Sequence, residues 1–192
     1  LDFLEQAASV QYEPGNDVFF GLDIAAGSFY ENGKYCIDEE NLELSSDEVI
    51  KYYQDIFMHY KIIYLEDPMF ERDEFGWTKF YKQNAGKYMV VADDLVVTNP
   101  KILERVAKEK MANAVIVKPN QIGTLTETLD FIRLARKSKM DIVISHRSGD
   151  NTDSFISDLA VAVDANFLKS GAPARGERVA KYNRLLEIFY GF

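Results

Sequence analysis

The stretch Asn113-Ala-Val-Ile-Val-Lys118-Pro119-Asn120-Gln121-Ile122-Gly123-Thr124 decides how the chain is read. Ala114 to Val117 is wholly apolar and rich in β-branched side chains, which suits a short strand buried on both faces. Lys118 stands where that strand ends, Pro119-Asn120 turns the chain, and Gly123-Thr124 leads into a helix. A buried strand end must accommodate both the charge and the long stem of a lysine. Taken alone, Lys118 reads as an ion-paired or snorkelling side chain.

It is not alone. Asp23 ends Val-Phe-Phe-Gly-Leu, Glu66 ends Ile-Ile-Tyr-Leu, and Asp93 ends Tyr-Met-Val-Val-Ala. Ser145 and His146 follow Ile-Val-Ile, and Lys169 follows Asn-Phe-Leu. Between successive ends, with His146 as the marker, the spacings are 43, 27, 25, 28 and 23 residues. A period near 25 is one strand, one crossover helix and two loops, so the pattern predicts parallel βα units of the α/β class. Six strands in a row that each end in a polar or ionisable group are the mark of a (β/α)8 TIM-type barrel, whose catalytic groups sit at the C-terminal strand ends. A complete barrel takes about 250 residues, so six of its eight strands are expected here. The opening Leu1-Asp-Phe-Leu-Glu5 has no methionine and no signal-peptide layout, and reads as the inside of a longer gene product.

Composition narrows the function. The 192 residues carry a formal net charge of −9, with no strongly basic stretch, which argues against nonspecific nucleic-acid binding. Cys36 is the single cysteine, so no intrachain disulfide is possible and a reducing compartment is favoured. No apolar run reaches the roughly 18 residues of a membrane span. One domain is expected, with no low-complexity segment and no linker.

The segments between the strand ends read as helices. Residues 1 to 10 have a short amphipathic pattern. Phe29 to Tyr35 holds Asn32-Gly33, a hairpin turn of type I′ that explains the long first spacing. Ser45-Ser-Asp-Glu48 is a capping box for a helix to about Tyr60, and Thr124-Leu-Thr-Glu127 is a second one for a helix to about Ser138. Asn99-Pro100 opens a helix to about Lys110. Further helices are expected over 73–84, 154–165 and 177–189. Trp77 and Phe80 read as packing residues, and His59 as a surface residue near a helix end.

At the strand ends, Asp23, Glu66 and Asp93 would converge, and three carboxylates together repel one another unless a cation sits between them. Their oxygens suit Mg²⁺ or Mn²⁺. The competing reading of each is helix capping or loop pairing, and Asp67 and Asp94 read as supporting residues. Lys118 and Lys169, two strands apart, would have depressed pKa values near each other and a cation, which makes a neutral amine available as a base. A metal opposite a lysine base suits removal of a proton next to a carboxylate. Arg147 and Ser148 supply a guanidinium fork and a hydroxyl suited to phosphate, although Arg147 alone also reads as a structural ion pair. An anionic, phosphorylated or carboxylated small substrate is implied.

These same runs resemble the enolase family. They are Leu22-Asp-Ile-Ala-Ala26, Leu65-Glu-Asp-Pro68, Ala92-Asp-Asp-Leu-Val-Val-Thr-Asn-Pro100, Val117-Lys-Pro-Asn-Gln-Ile-Gly-Thr124, Ser145-His-Arg-Ser-Gly149 and Lys169-Ser-Gly-Ala-Pro-Ala-Arg-Gly-Glu-Arg178. The resemblance covers roughly Phe20 to Ile188 and implies the C-terminal part of an enolase barrel. It implies that the protein is a glycolytic hydro-lyase, cytoplasmic or in some cases cell-surface or secreted, acting on 2-phosphoglycerate and phosphoenolpyruvate. On that likeness Asp23, Glu66 and Asp93 hold one high-affinity Mg²⁺, and a second Mg²⁺ arrives with substrate. Lys118 and Lys169 are the catalytic residues: Lys118 is the base for the C2 proton, and Lys169 binds the carboxylate. Arg147 and Ser148 hold the phosphate, His146 lines the pocket, and Glu66 and Asp93 bind substrate as well as metal. The full protein is expected to be a homodimer or octamer. Gly27-Ser28 and Asp150-Asn-Thr-Asp153 depart from the family's usual Ser-Glu and Glu-Thr-Glu-Asp.

Family members also carry an N-terminal domain, two earlier barrel strands and paired glutamates that help the hydroxyl leave. None of these lies in the 192 residues, so the isolated chain is expected to be inactive. Two other readings stay open: a non-catalytic fragment or paralogue that serves as a binding or scaffold protein, and a related enzyme acting on another acid.

Overall fold

The computed structural model describes residues 1–191. The chain divides into two compact units, one formed by Leu1–Leu95 with Val106–Asn113, the other by Val96–Arg105 with the residues from Ala114 onward.

The first unit opens with helix α1 (Asp2–Ala8) and then strand β1 (Phe20–Asp23). The Asn32-Gly33 turn follows, with φ of 50° and 83°, the left-handed pair that a type I′ turn requires. It joins β2 (Tyr30–Glu31) to β3 (Lys34–Ile37). A third strand, β4 (Leu42–Leu44), pairs antiparallel with β3 and makes the hairpin a three-stranded sheet. Helix α2 (Ser46–Phe57), strand β5 (Ile62–Glu66), helix α3 (Glu74–Asn84) and strand β6 (Met89–Ala92) complete the alternation. Strands β1, β5 and β6 pair in parallel, in that order.

Local chemistry accounts for these elements. Both bonds of the α2 capping box are formed: Ser45 Oγ accepts from the Glu48 amide, and Glu48 Oε2 accepts from the Ser45 amide. Ser45→Ala should therefore cost about 1 kcal/mol, read as a lower urea midpoint; an unchanged midpoint would mean the box contributes nothing. Asp73 caps α3 through the Gly76 amide. Its other oxygen accepts from the Tyr35 and Ser46 hydroxyls, at 2.7 and 2.6 Å, tying the small sheet and α2 to α3. A side chain at Gly76 would meet Asp73 Oδ2 at 2.3 Å, so that position must stay bare. Trp77 and Phe80 are fully buried, as packing residues should be. His59 lies exposed, just past the end of α2.

Helix α4 (Pro100–Glu109) begins at Asn99, whose Oδ1 accepts from the Lys101 amide. In the second unit come strand β7 (Ala114–Val117), a single helical turn α5 (Pro119–Ile122), helix α6 (Leu125–Lys137), strand β8 (Asp141–Ser145), helix α7 (Phe155–Ala162), strand β9 (Phe167–Lys169) and helix α8 (Gly176–Tyr190). Strands β7, β8 and β9 pair in parallel, in that order. The sequence reading had a plain turn at α5; Pro119 at its first position and Gly123, with φ of 104°, make one helical turn instead. Ala114 to Val117 and Ile142 to Ile144 are buried throughout, which is why they read as unbroken apolar runs. Among the described residues, six parallel strands thus alternate with helices, three in each unit.

Candidate active site

In the first unit, the strand register sets the acidic residues. Asp23 pairs directly with Glu66 across β1 and β5, so their backbones are about 4.8 Å apart. Glu66 is level with Val91 of β6, which places Asp93 two residues farther along. Glu66 is fully buried and Asp93 is 7% exposed, whereas Asp23 is exposed.

Tyr64 holds one of these groups. It lies two residues before Glu66 on β5 and so faces the same side. Its hydroxyl donates to Glu66 Oε2 at 2.5 Å. Burial first, then the charges of Glu66, Asp23 and Asp93, raise the Tyr64 phenol far above its ordinary pKa. Of the three predicted carboxylates, Glu66 is the one bonded to that hydroxyl. Two buried carboxylates, Glu66 and Asp93, beside the exposed Asp23 would be relieved of mutual repulsion by a hard divalent cation.

Asp67 plays a supporting part. It has φ of 41°, a left-handed backbone that is uncommon outside glycine. Its two oxygens accept the amides of Asp93 and Asp94, at 3.0 and 2.8 Å, and so shape the loop that carries Asp93. Oxygens of Asp67, Asp93 and Asp94 all lie within 4.8 Å of one another. With both its oxygens engaged, Asp67 fits the role of loop support better than that of ligand.

Burial pushes the Asp67 carboxyl up to about 8, against the pull of those two amides. Between the unfolded carboxylate value near 4 and about 8, the folded state then holds a proton that the unfolded chain has lost. The stability this contributes is full below about pH 4 and is lost as pH rises towards 8. In the metal-free protein, the stability gap between wild type and Asp67→Asn should narrow over that range. Urea unfolding in chelator measures it, and a widening gap would contradict this assignment.

In the second unit, Ser145 pairs with Lys169 across β8 and β9, and Val117 pairs with Ile144 across β7 and β8. One residue past Val117, Lys118 comes level with Ser145, and therefore with Lys169. The two lysine backbones are separated by two strand spacings, roughly 10 Å. Lys118 is further fixed by Thr98, whose Oγ1 accepts the Lys118 amide at 3.1 Å and donates to Gln121 Oε1 at 2.7 Å. Val97 and Thr98, both β-branched, have φ of 46° and 53°, strain of the kind that concentrates at functional sites.

The His146-Arg147-Ser148 segment follows β8, and the His146 amide donates to the Lys169 carbonyl at 2.9 Å. His146, Arg147, Asn120 and Asp150 are among the residues lining a cleft of about 330 Å³. Arg147 is exposed there, and Ser148, next in the chain, is exposed but does not line the cleft. The backbone of this segment is held from α8. Arg178 donates to the carbonyls of Arg147 and Ser148, at 3.1 and 2.9 Å. Lys181, 1% exposed, donates to the Asn151 carbonyl and pairs with Asp150 at 3.3 Å. Tyr64, Thr98, Arg178 and Lys181 carried no assignment from the sequence. Only the position of Tyr64 two residues before Glu66 gave a signal, through the period of a strand.

Taken separately, the first unit gathers carboxylates suited to a cation, and the second presents cations, a hydroxyl and a cleft suited to an anion. A family model described as "Enolase, C-terminal TIM barrel domain" matches residues 1–190. "Enolase 2" of Methanospirillum hungatei is 49% identical over 177 residues, which are 92% of this chain and 42% of that protein. "Enolase" of Natranaerobius thermophilus is 49% identical over 93% of the chain and 42% of its own length. "Enolase" of Ehrlichia ruminantium is 46% identical over 98% of the chain and 44% of its own length. The chain thus spans less than half the length of these curated relatives.

Proposed function

Because the chain belongs to the enolase family, matched over the C-terminal TIM barrel domain, we propose that its protein is a magnesium-dependent hydro-lyase interconverting 2-phospho-D-glycerate and phosphoenolpyruvate. The observation that most supports this is the strand register, which pairs Asp23 with Glu66 and sets Asp93 just past the neighbouring strand, a run of strand-end carboxylates that a divalent cation would relieve of repulsion. Asp23, Glu66 and Asp93 would hold the high-affinity Mg²⁺, with a second ion accompanying substrate. Bound there, the metal would supply electrostatic stabilisation of negative charge developing on the substrate carboxylate.

The chain's own residues divide the remaining work. Lys118 accepts the C2 proton at Nζ. Lys169 pairs with the substrate carboxylate. Arg147 offers a planar fork and Ser148 a hydroxyl to the phosphate, and His146 lines the cleft beside them. A place in glycolysis, a cytoplasmic setting and a homo-oligomeric state belong to the same proposal. Among the described residues, no helix is long and apolar enough to cross a membrane.

The test is a substrate panel on the intact protein, followed by NMR. 2-Phosphoglycerate should turn over, and non-phosphorylated 2-hydroxy acids should not. Turnover of the latter alone would favour a related enzyme acting on another acid, and turnover of none would favour a binding or scaffold role.

A further inference from the structure

We propose that Arg178 is a positioning residue that fixes His146 with its proton on Nε2 and pins the backbone of the following two residues, so that the ring meets an anion in the cleft as a hydrogen-bond donor. The inference rests on the reading of that cleft as a substrate site.

The geometry is specific. Arg178 lies in the first turn of α8, its side chain only 14% exposed. Its Nη1 stands 2.5 Å from His146 Nδ1. The same guanidinium donates to the Arg147 and Ser148 carbonyls and lies 3.7 Å from Asp150 Oδ2. A guanidinium has donors only and keeps its charge. Nδ1 must therefore present its lone pair, and a neutral ring carries its hydrogen on Nε2.

The surroundings keep the ring neutral. Burial, Arg178 and Lys169 lower the His146 pKa, against the opposing pull of Asp150 and the Ser170 backbone. The packing leaves no slack. A β-carbon at Gly171 would sit 3.1 Å from Arg178 Cδ and 3.3 Å from His146 Cε1, and its φ of 81° already favours glycine. Whatever Nε2 meets, the Ser170 carbonyl or a bound phosphate oxygen, it meets as a donor. His146 is therefore not a second base beside Lys118.

The tautomer can be read without turnover. In the intact protein labelled with ¹⁵N-histidine, long-range ¹H–¹⁵N correlation separates Nδ1 from Nε2, with His146→Gln supplying the assignment. Wild type should show Nε2–H and a hydrogen-bonded Nδ1. Arg178→Met should move the Nδ1 resonance towards its free position and raise the KM for 2-phosphoglycerate by roughly tenfold, the low end of what loss of a supporting partner costs, with kcat changed less. Arg178→Lys, still a donor, should restore the Nδ1 shift. A proton on Nδ1 in wild type, or an Nδ1 resonance unmoved in Arg178→Met, would overturn the proposal. An Nε2–H ring in a protein that fails to turn over 2-phosphoglycerate would instead overturn the functional reading and leave the tautomer standing.

Discussion

Lys118→Ala should lower the rate of phosphoenolpyruvate formation roughly 10²–10⁴-fold, the range that a positioned proton-transfer group contributes. The fold should survive the change. Lys118 follows the four buried residues of β7, and its tie to Thr98 uses the backbone amide, which alanine keeps. What alanine removes is the amine. The fall should therefore appear in kcat and in exchange of the substrate C2 hydron with solvent, while KM changes little. A Lys118→Ala protein that is less stable but turns over at the wild-type rate would mean that Lys118 is a structural ion-pair residue.

Asp93→Asn should weaken Mg²⁺ binding by at least the 10- to 100-fold that loss of an outer partner typically costs, as measured by titration calorimetry. The exchange is nearly isosteric, and the Asp93 amide keeps its bond to Asp67 Oδ1. The loop geometry is thus retained while one of the three charges acting on Tyr64 is lost. Less repulsion among the carboxylates also means that the ion-free protein should be no less stable than wild type, the opposite of what removal of a structural partner produces. Unchanged Mg²⁺ affinity would remove Asp93 from the metal site and leave Asp67 and Asp94 beside it without a purpose.

The parallel strands were legible because each buried run is short, apolar and closed by a polar residue. The same signal located Asp23, Glu66, Asp93, Lys118, His146 and Lys169, and the enolase resemblance supplied their expected roles. Strand β4 escaped notice because three residues beside a left-handed Asn41, with φ of 53°, carry too little pattern. The single turn of α5 escaped for a similar reason, since Pro119-Asn120 also suits a plain turn. Thr98 and Arg178 were invisible for a different cause. Their hydrogen bonds reach 20 residues to Lys118 and 32 residues to His146, and no local periodicity reports a contact that the fold creates.

The measurement that bears most directly on the whole account is the ultraviolet absorbance of phosphoenolpyruvate formed from 2-phosphoglycerate by the intact protein, with Mg²⁺ and again with excess chelator. The expected result is a rise that requires Mg²⁺ and returns when the ion is restored. Absence of any rise with Mg²⁺, or an equal rise in chelator, would contradict it.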